Sequence, residues 1–93
     1  MGGKCVEIYQ LRQFAAVAKT ENMTRAAQSL SMAQPAVSKT IRNLESELGA
    51  ELFERTGKGL RRTEQGDILL RYARAILNAE LDARREIEES LHR

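Results

Sequence analysis

Apolar residues recur at threes and fours along this chain. Leu11, Phe14, Ala15 and Ala18, with Val17 beside them, predict an amphipathic helix from about Ile8 to Lys19. Asn22 and Met23 interrupt it, and Thr24 reads as the N-cap of a second helix carrying Arg25 to Leu30. That helix is barely two turns long and not stable alone. Its Ala26-Ala27 pair lets a neighbouring backbone come close. Ser31, Met32 and Ala33 form a short connection, and Pro35 reads as the first position of a third helix starting near Gln34, where its missing N–H does no harm. Val37, Ile41, Leu44 and Leu48 share one stripe of that helix, Gly49 is its C′ stop, and Pro35, Ser38, Lys39, Arg42 and Ser46 occupy the other side.

Beyond Leu52 and Phe53, Thr56-Gly57-Lys58-Gly59 reads as a turn between two very short strands, a small hairpin. Thr63 then reads as an N-cap, with Glu64 and Asp67 suiting the first-turn dipole, and no proline follows before Arg93. A helix from Glu64 to about Leu91 spans roughly 40 Å, longer than so small a body can cover, so part of it projects. Its stripe of Leu69, Ala73, Ile76, Ala83, Ile87 and Leu91 needs a cover, and a second copy of the same helix is the simplest one.

Composition narrows the classes. At 93 residues, 42% of them hydrophobic and 30% charged, the chain makes one small globular domain. A domain of this size hides only about 60–65% of its unfolded surface, which favours a partner subunit. The single Cys5 cannot form an intramolecular disulfide, and with the single His92 it cannot build a structural zinc site. No apolar run reaches the roughly 20 residues that span a bilayer. The expected setting is a soluble, reducing compartment, the cytoplasm. The net charge of +2 is mild, but its distribution is not: through Thr63 four lysines and six arginines face six acids, and from Glu64 onward five arginines face seven acids. A basic body thus precedes an acidic helix.

A two-turn helix, a three-residue turn and a proline-started cationic helix form a helix-turn-helix pattern. Gln34, Pro35, Ser38, Lys39 and Arg42 lie on one side of the third helix, at the spacing that meets successive base edges in a major groove. Gln pairs bidentately with adenine, Lys reaches guanine acceptors, Ser serves base or phosphate, and Pro35 offers an apolar surface to a thymine methyl. For an isolated helix such a face is more often plain solvated surface; its context here shifts the balance towards DNA. Arg12 and Arg25 read as solvent or phosphate contacts. Catalysis is not expected, because there is no nucleophile with a base, no phosphate-binding glycine loop, and the one His lies at the tail. The competing class is a helical protein–protein dimerisation module using the last helix, which leaves the cationic face unexplained.

Residues Ile8 to Leu70 resemble the N-terminal DNA-binding domain of LysR-type transcriptional regulators. The resemblance lies in Leu11-Arg12-Gln13-Phe14, Thr24-Arg25-Ala26-Ala27, Ala33-Gln34-Pro35-Ala36-Val37-Ser38, Ile41-Arg42-Asn43-Leu44-Glu45, Leu48-Gly49, Leu52-Phe53-Glu54-Arg55 and Thr63-Glu64-Gln65-Gly66. Ala33 stands where the family often has Ser, and Lys39 where it often has Arg. The resemblance implies a mainly α, winged helix-turn-helix fold with a two-stranded wing and a long linker helix that pairs two protomers. It implies a double-stranded DNA operator as partner, with Gln34, Pro35, Ser38 and Lys39 in the major groove and Arg55 in the flanking minor groove. Arg42, Lys58 and Thr24 complete the expected DNA surface; Leu69, Ala73, Ile76, Ala83 and Ile87 form the expected dimer contact. The expected organisation is a DNA-binding body over residues 1–63, in which 1–5 are an extension, and a linker helix over 64–93. Similar regulators continue into an effector-binding domain, so a small-molecule inducer is expected to act only through that missing domain and full-length proteins to reach tetramers. No cofactor and no metal are expected on this chain.

Overall fold

The computed structural model of the chain describes residues 6–93, and the expected extension over residues 1–5, with Cys5, lies outside them. Four helices and a hairpin follow in the order α1 (Ile8–Thr20), α2 (Met23–Leu30), α3 (Gln34–Leu48), β1 (Phe53–Thr56), β2 (Gly59–Arg62) and α4 (Glu64–Leu91). Capping sets most boundaries. The Gln10 side chain accepts the Glu7 N–H at 2.8 Å and starts α1, while Glu21, in the left-handed region at φ 50°, ends it. The N-cap of α2 is Asn22 and not Thr24: the Asn22 side chain accepts the Arg25 N–H at 2.9 Å, and Thr24 lies inside the helix. Pro35 is the second residue of α3, after Gln34, where its N–H would still be unpaired. Thr63 caps α4 as its sequence predicts, accepting the Gly66 N–H at 3.0 Å.

The core is a single cluster in which Phe14, Val17, Val37, Leu44 and Leu52 are fully buried, joined by the Ala26 and Ala27 pair and by Leu70 and Ala73 of α4. The Phe14 and Phe53 rings, tilted at 45° with centroids 5.5 Å apart, seal the hairpin root onto α1. Leu48 departs from its predicted stripe and is 46% exposed, on the wall of an open apolar groove that it shares with Leu52 and Leu69. The first half of α4 lies along α1, with Arg12 and Glu80 at 3.9 Å marking how far that contact reaches. Every residue from Leu81 to Arg93 is exposed. The body therefore includes the first turns of α4, and the projecting segment starts inside that helix and not at Thr63.

Candidate nucleic-acid interface

α3 is wedged at its apolar side and free at its polar one. Val37, Ile41 and Leu44 point into the core, and Pro35, Lys39 and Arg42 are exposed, with Gln34 partly so. No acid stands on this face before Glu45, so its field is positive. The Ala33 N-cap contributes no side-chain hydrogen bond, Pro35 has no N–H and the Ala36 N–H donates to the Ala33 carbonyl at 3.0 Å, so in the first turn of α3 the Gln34 N–H is the one left for an anionic partner. Ser38 departs from its predicted place on the open face. It is only 9% exposed, recessed on the floor of a cleft between α3 and the hairpin.

That cleft brings the two halves of the expected surface together. Ser38, Ile41, Arg42 and Glu45 of α3 line one wall, and Phe53, Arg55 and Leu60 of the hairpin line the other. β1 and β2 are antiparallel, with Phe53 opposite Arg62 and Arg55 opposite Leu60, and the turn is the two residues Gly57 and Lys58. Gly59 adopts φ 126°, open to glycine alone, and there the hairpin passes close to the Glu21 carbonyl. Arg55 and Lys58 are exposed, and Lys58 donates its N–H to the Thr56 hydroxyl at 3.2 Å. On the far side of the hairpin tip, Lys58 and Arg61 share a second, polar cleft with Arg25 and Asn22. Thr24, also exposed, sits in the first turn of α2 next to Arg25.

One positioning contact escaped the sequence reading. The Glu45 carboxylate accepts the Leu52 N–H at 2.8 Å and the Phe53 N–H at 3.4 Å, tying the root of the wing to the helix that carries the cationic face. Glu45, the first acid after the cationic turns of α3, was the available signal, but its partners are backbone groups seven and eight residues on.

The expected dimer residues divide. Ala73 is fully buried in its own protomer and Leu69 is partly buried against the same core, so Ala73 is a core residue and not a contact surface. Ile76, Ala83 and Ile87 are exposed. Ile68 and Tyr72, 42% and 57% exposed, join them on one face, spaced by fours and threes. Ile68, Leu69 and Tyr72 also wall a nearly all-apolar groove completed by Leu48, Ala50 and Leu52. Among the described residues no cluster of His, Cys, Asp or Glu could hold a metal, and no helix is long and apolar enough to cross a membrane.

Comparison with known proteins agrees with this geometry. The family pattern described as bacterial regulatory helix-turn-helix protein, lysR family, matches residues 8–67. The chain is 48% identical over 86 residues to the RuBisCO operon transcriptional regulator of Allochromatium vinosum, covering 92% of this chain and 28% of that protein. It is 43% identical over 74 residues to the HTH-type transcriptional regulator PcaQ of Agrobacterium fabrum, covering 80% and 24%. The chain thus spans about a quarter of the length of these curated relatives. Among solved structures, a CbnR DBD–DNA complex matches with a TM-score of 0.85 at 34% identity, covering 91% of this chain and 98% of that one. A BenM DBD complex with catB site 1 DNA matches with a TM-score of 0.82 at 35% identity, covering 92% and 96%.

Proposed function

The chain belongs to the lysR family of bacterial regulatory helix-turn-helix proteins, and on that premise we propose that it is the sequence-specific, double-stranded DNA-binding part of a transcriptional regulator. The observation that carries the proposal is the free cationic face of α3 standing beside an exposed wing arginine, in a fold shared along nearly its whole length with domains solved on DNA. The relatives are named as transcriptional regulators and not as enzymes.

In this reading α3 enters the major groove by its N-terminal turns. Gln34, Pro35 and Lys39 meet base edges, the recessed Ser38 serves a group that reaches into the cleft, and Arg42 neutralises backbone charge. Lys39 acts as a point charge without the fork of an arginine. Arg55 reaches the minor groove beside it, where a narrow A·T-rich tract concentrates negative potential. Lys58 at the wing tip and Thr24 with Arg25 on α2 hold the flanking phosphates, and those contacts set orientation and salt dependence. Two protomers join through α4, which places two α3 helices on half-sites of a two-fold operator. An inducer would act through a region outside these 93 residues, the full-length protein would be dimeric or tetrameric, and its place would be the bacterial cytoplasm, where the DNA is.

Gln34→Ala is expected to cost about 1–3 kcal/mol of affinity on the specific duplex and little on nonspecific duplex. Fluorescence anisotropy on the two duplexes checks it. Equal loss on both would remove Gln34 from base readout.

A further inference from the structure

Arg62, the last residue of β2, joins three elements through one side chain. Its Nη1 donates to the Ala18 carbonyl at 2.8 Å, one of the last carbonyls of α1, which have no intrahelical donor. Its Nε donates to the Asp67 carboxylate at 2.8 Å in the first turn of α4. Glu21, turned into the left-handed region at the end of α1, completes the joint from both its ends. Its carboxylate accepts the Arg62 backbone N–H at 3.4 Å and lies 3.9 Å from the guanidinium, and its carbonyl accepts the Leu60 N–H at 3.4 Å. A guanidinium can do this because its donors are several, rigid and planar; an ammonium on the same stem cannot fork between a helix end and a helix start.

The register makes this joint matter for DNA. Opposed residues of an antiparallel pair share a face, so Phe53, Arg55, Leu60 and Arg62 all lie on the side of the hairpin turned to the body. Leu60, held by Glu21, stands directly opposite Arg55. The β1 side of the wing is fixed by Glu45 and the β2 side by Arg62.

We propose that Arg62 is a positioning residue that sets the angle of the wing, and through it the preference of Arg55 for the sequence flanking the core site, without itself touching DNA. The inference rests on the minor-groove reading of Arg55. The ion pairs of Arg62 are partly exposed, and such pairs add little to global stability, so their loss releases the wing and leaves the fold intact.

The test uses two duplexes that share one core site and differ in A·T-rich or G·C-rich flanks. Wild type, Arg62→Met, Arg55→Ala and the double variant are titrated on both, and amide hydrogen exchange is followed in the free proteins. Arg62→Met should bring the ratio of affinities between flanks to within about twofold of that of Arg55→Ala, and should change it by less than about twofold when Arg55 is already Ala, the scatter expected of additive pairs. The Leu60 amide should exchange faster while Ile41 and Leu44 in α3 keep their protection. A wild-type flank ratio in Arg62→Met overturns the proposal, as does an equal loss on both duplexes that recurs in the Arg55→Ala background. If Arg55→Ala itself leaves the ratio unchanged, the minor-groove reading fails and this inference falls with it; if only Arg62→Met does so, this inference falls alone. Should Met at position 62 fail to fold, the pair Glu21→Ala with Asp67→Ala removes both side-chain acceptors from the guanidinium, and the same outcomes decide.

Discussion

Gly66→Ala is expected to destabilise the domain sharply, against what helix propensity dictates. In an exposed helix interior the change gains up to about 1 kcal/mol, because alanine loses less backbone freedom on folding. Here Gly66 lies in the first turn of α4 against the hairpin root, and an added Cβ would sit 2.2 Å from the Leu52 carbonyl oxygen and 3.2 Å from its carbon. Neither side can yield easily. That carbonyl accepts the Thr63 N–H at 3.0 Å, the Thr63 hydroxyl donates to the Glu51 carbonyl at 2.6 Å, and the Leu52 side chain is in the core. Relieving the overlap means sliding α4 off the hairpin, which opens the contact that buries Leu52 and Leu70. Overpacking of this kind costs about 1–3 kcal/mol or more. In a domain of this size the upper end of that range lowers Tm by on the order of 10 °C or more. Thermal unfolding followed by circular dichroism reads it directly, and an unchanged or raised Tm would show that the helix and the hairpin are not pinned there.

Ile76→Glu is expected to turn a dimer into a monomer without unfolding it. Ile76 is 43% exposed in the protomer and lies midway along the apolar face formed by Ile68, Tyr72, Ile76, Ala83 and Ile87. In a two-fold contact a residue near the centre meets its own copy or a close neighbour, so one substitution brings two carboxylates into an apolar seam. An unpaired buried charge costs several kcal/mol. The dimer dissociation constant should therefore rise by at least about 100-fold, the equivalent of roughly 2.7 kcal/mol. Sedimentation at a series of concentrations measures it, with the far-ultraviolet helix signal as the control for folding. A profile that does not change would place the interface away from this face. Because two linked readers bind an operator more tightly than one, the same variant should lose affinity for a two-site duplex far more than for a single half-site.

The parts of this fold that were legible in the sequence are the local ones. The helix-turn-helix could be read because Pro35, Gly49 and the short run from Thr24 to Leu30 act over one or two turns, and α3 does run from Gln34 to Leu48. The hairpin was readable from its glycines, whose conformational freedom is a property of the residue itself. Contacts that depend on assembly were not. Asn22 and Thr24 are both good caps, and only the path of the chain out of α1 makes Asn22 the one that accepts the Arg25 N–H. On α4 the spacing by threes and fours merged two faces into one stripe: Ala73 turns to the core beside Leu70, which the stripe left out, while Ile76 turns away from it beside Tyr72, also left out. A periodicity gives the width of an apolar surface and not which part its own body covers. The wing's fastenings to Ala18 and Glu21 reach across more than 40 residues, and no local pattern announces them.

Two protomers of this chain are expected to read one DNA sequence together. Selection of bound duplexes from a randomised pool at two salt concentrations, followed by sequencing, decides whether they do. The expected result is enrichment of a motif with two-fold symmetry that persists at the higher salt, with half-sites about one or two helical turns apart and A·T-rich flanks where Arg55 reaches. Binding that fades steeply with salt and enriches no motif would reduce the cationic face to a phosphate-attracting surface and rule out paired, sequence-specific reading.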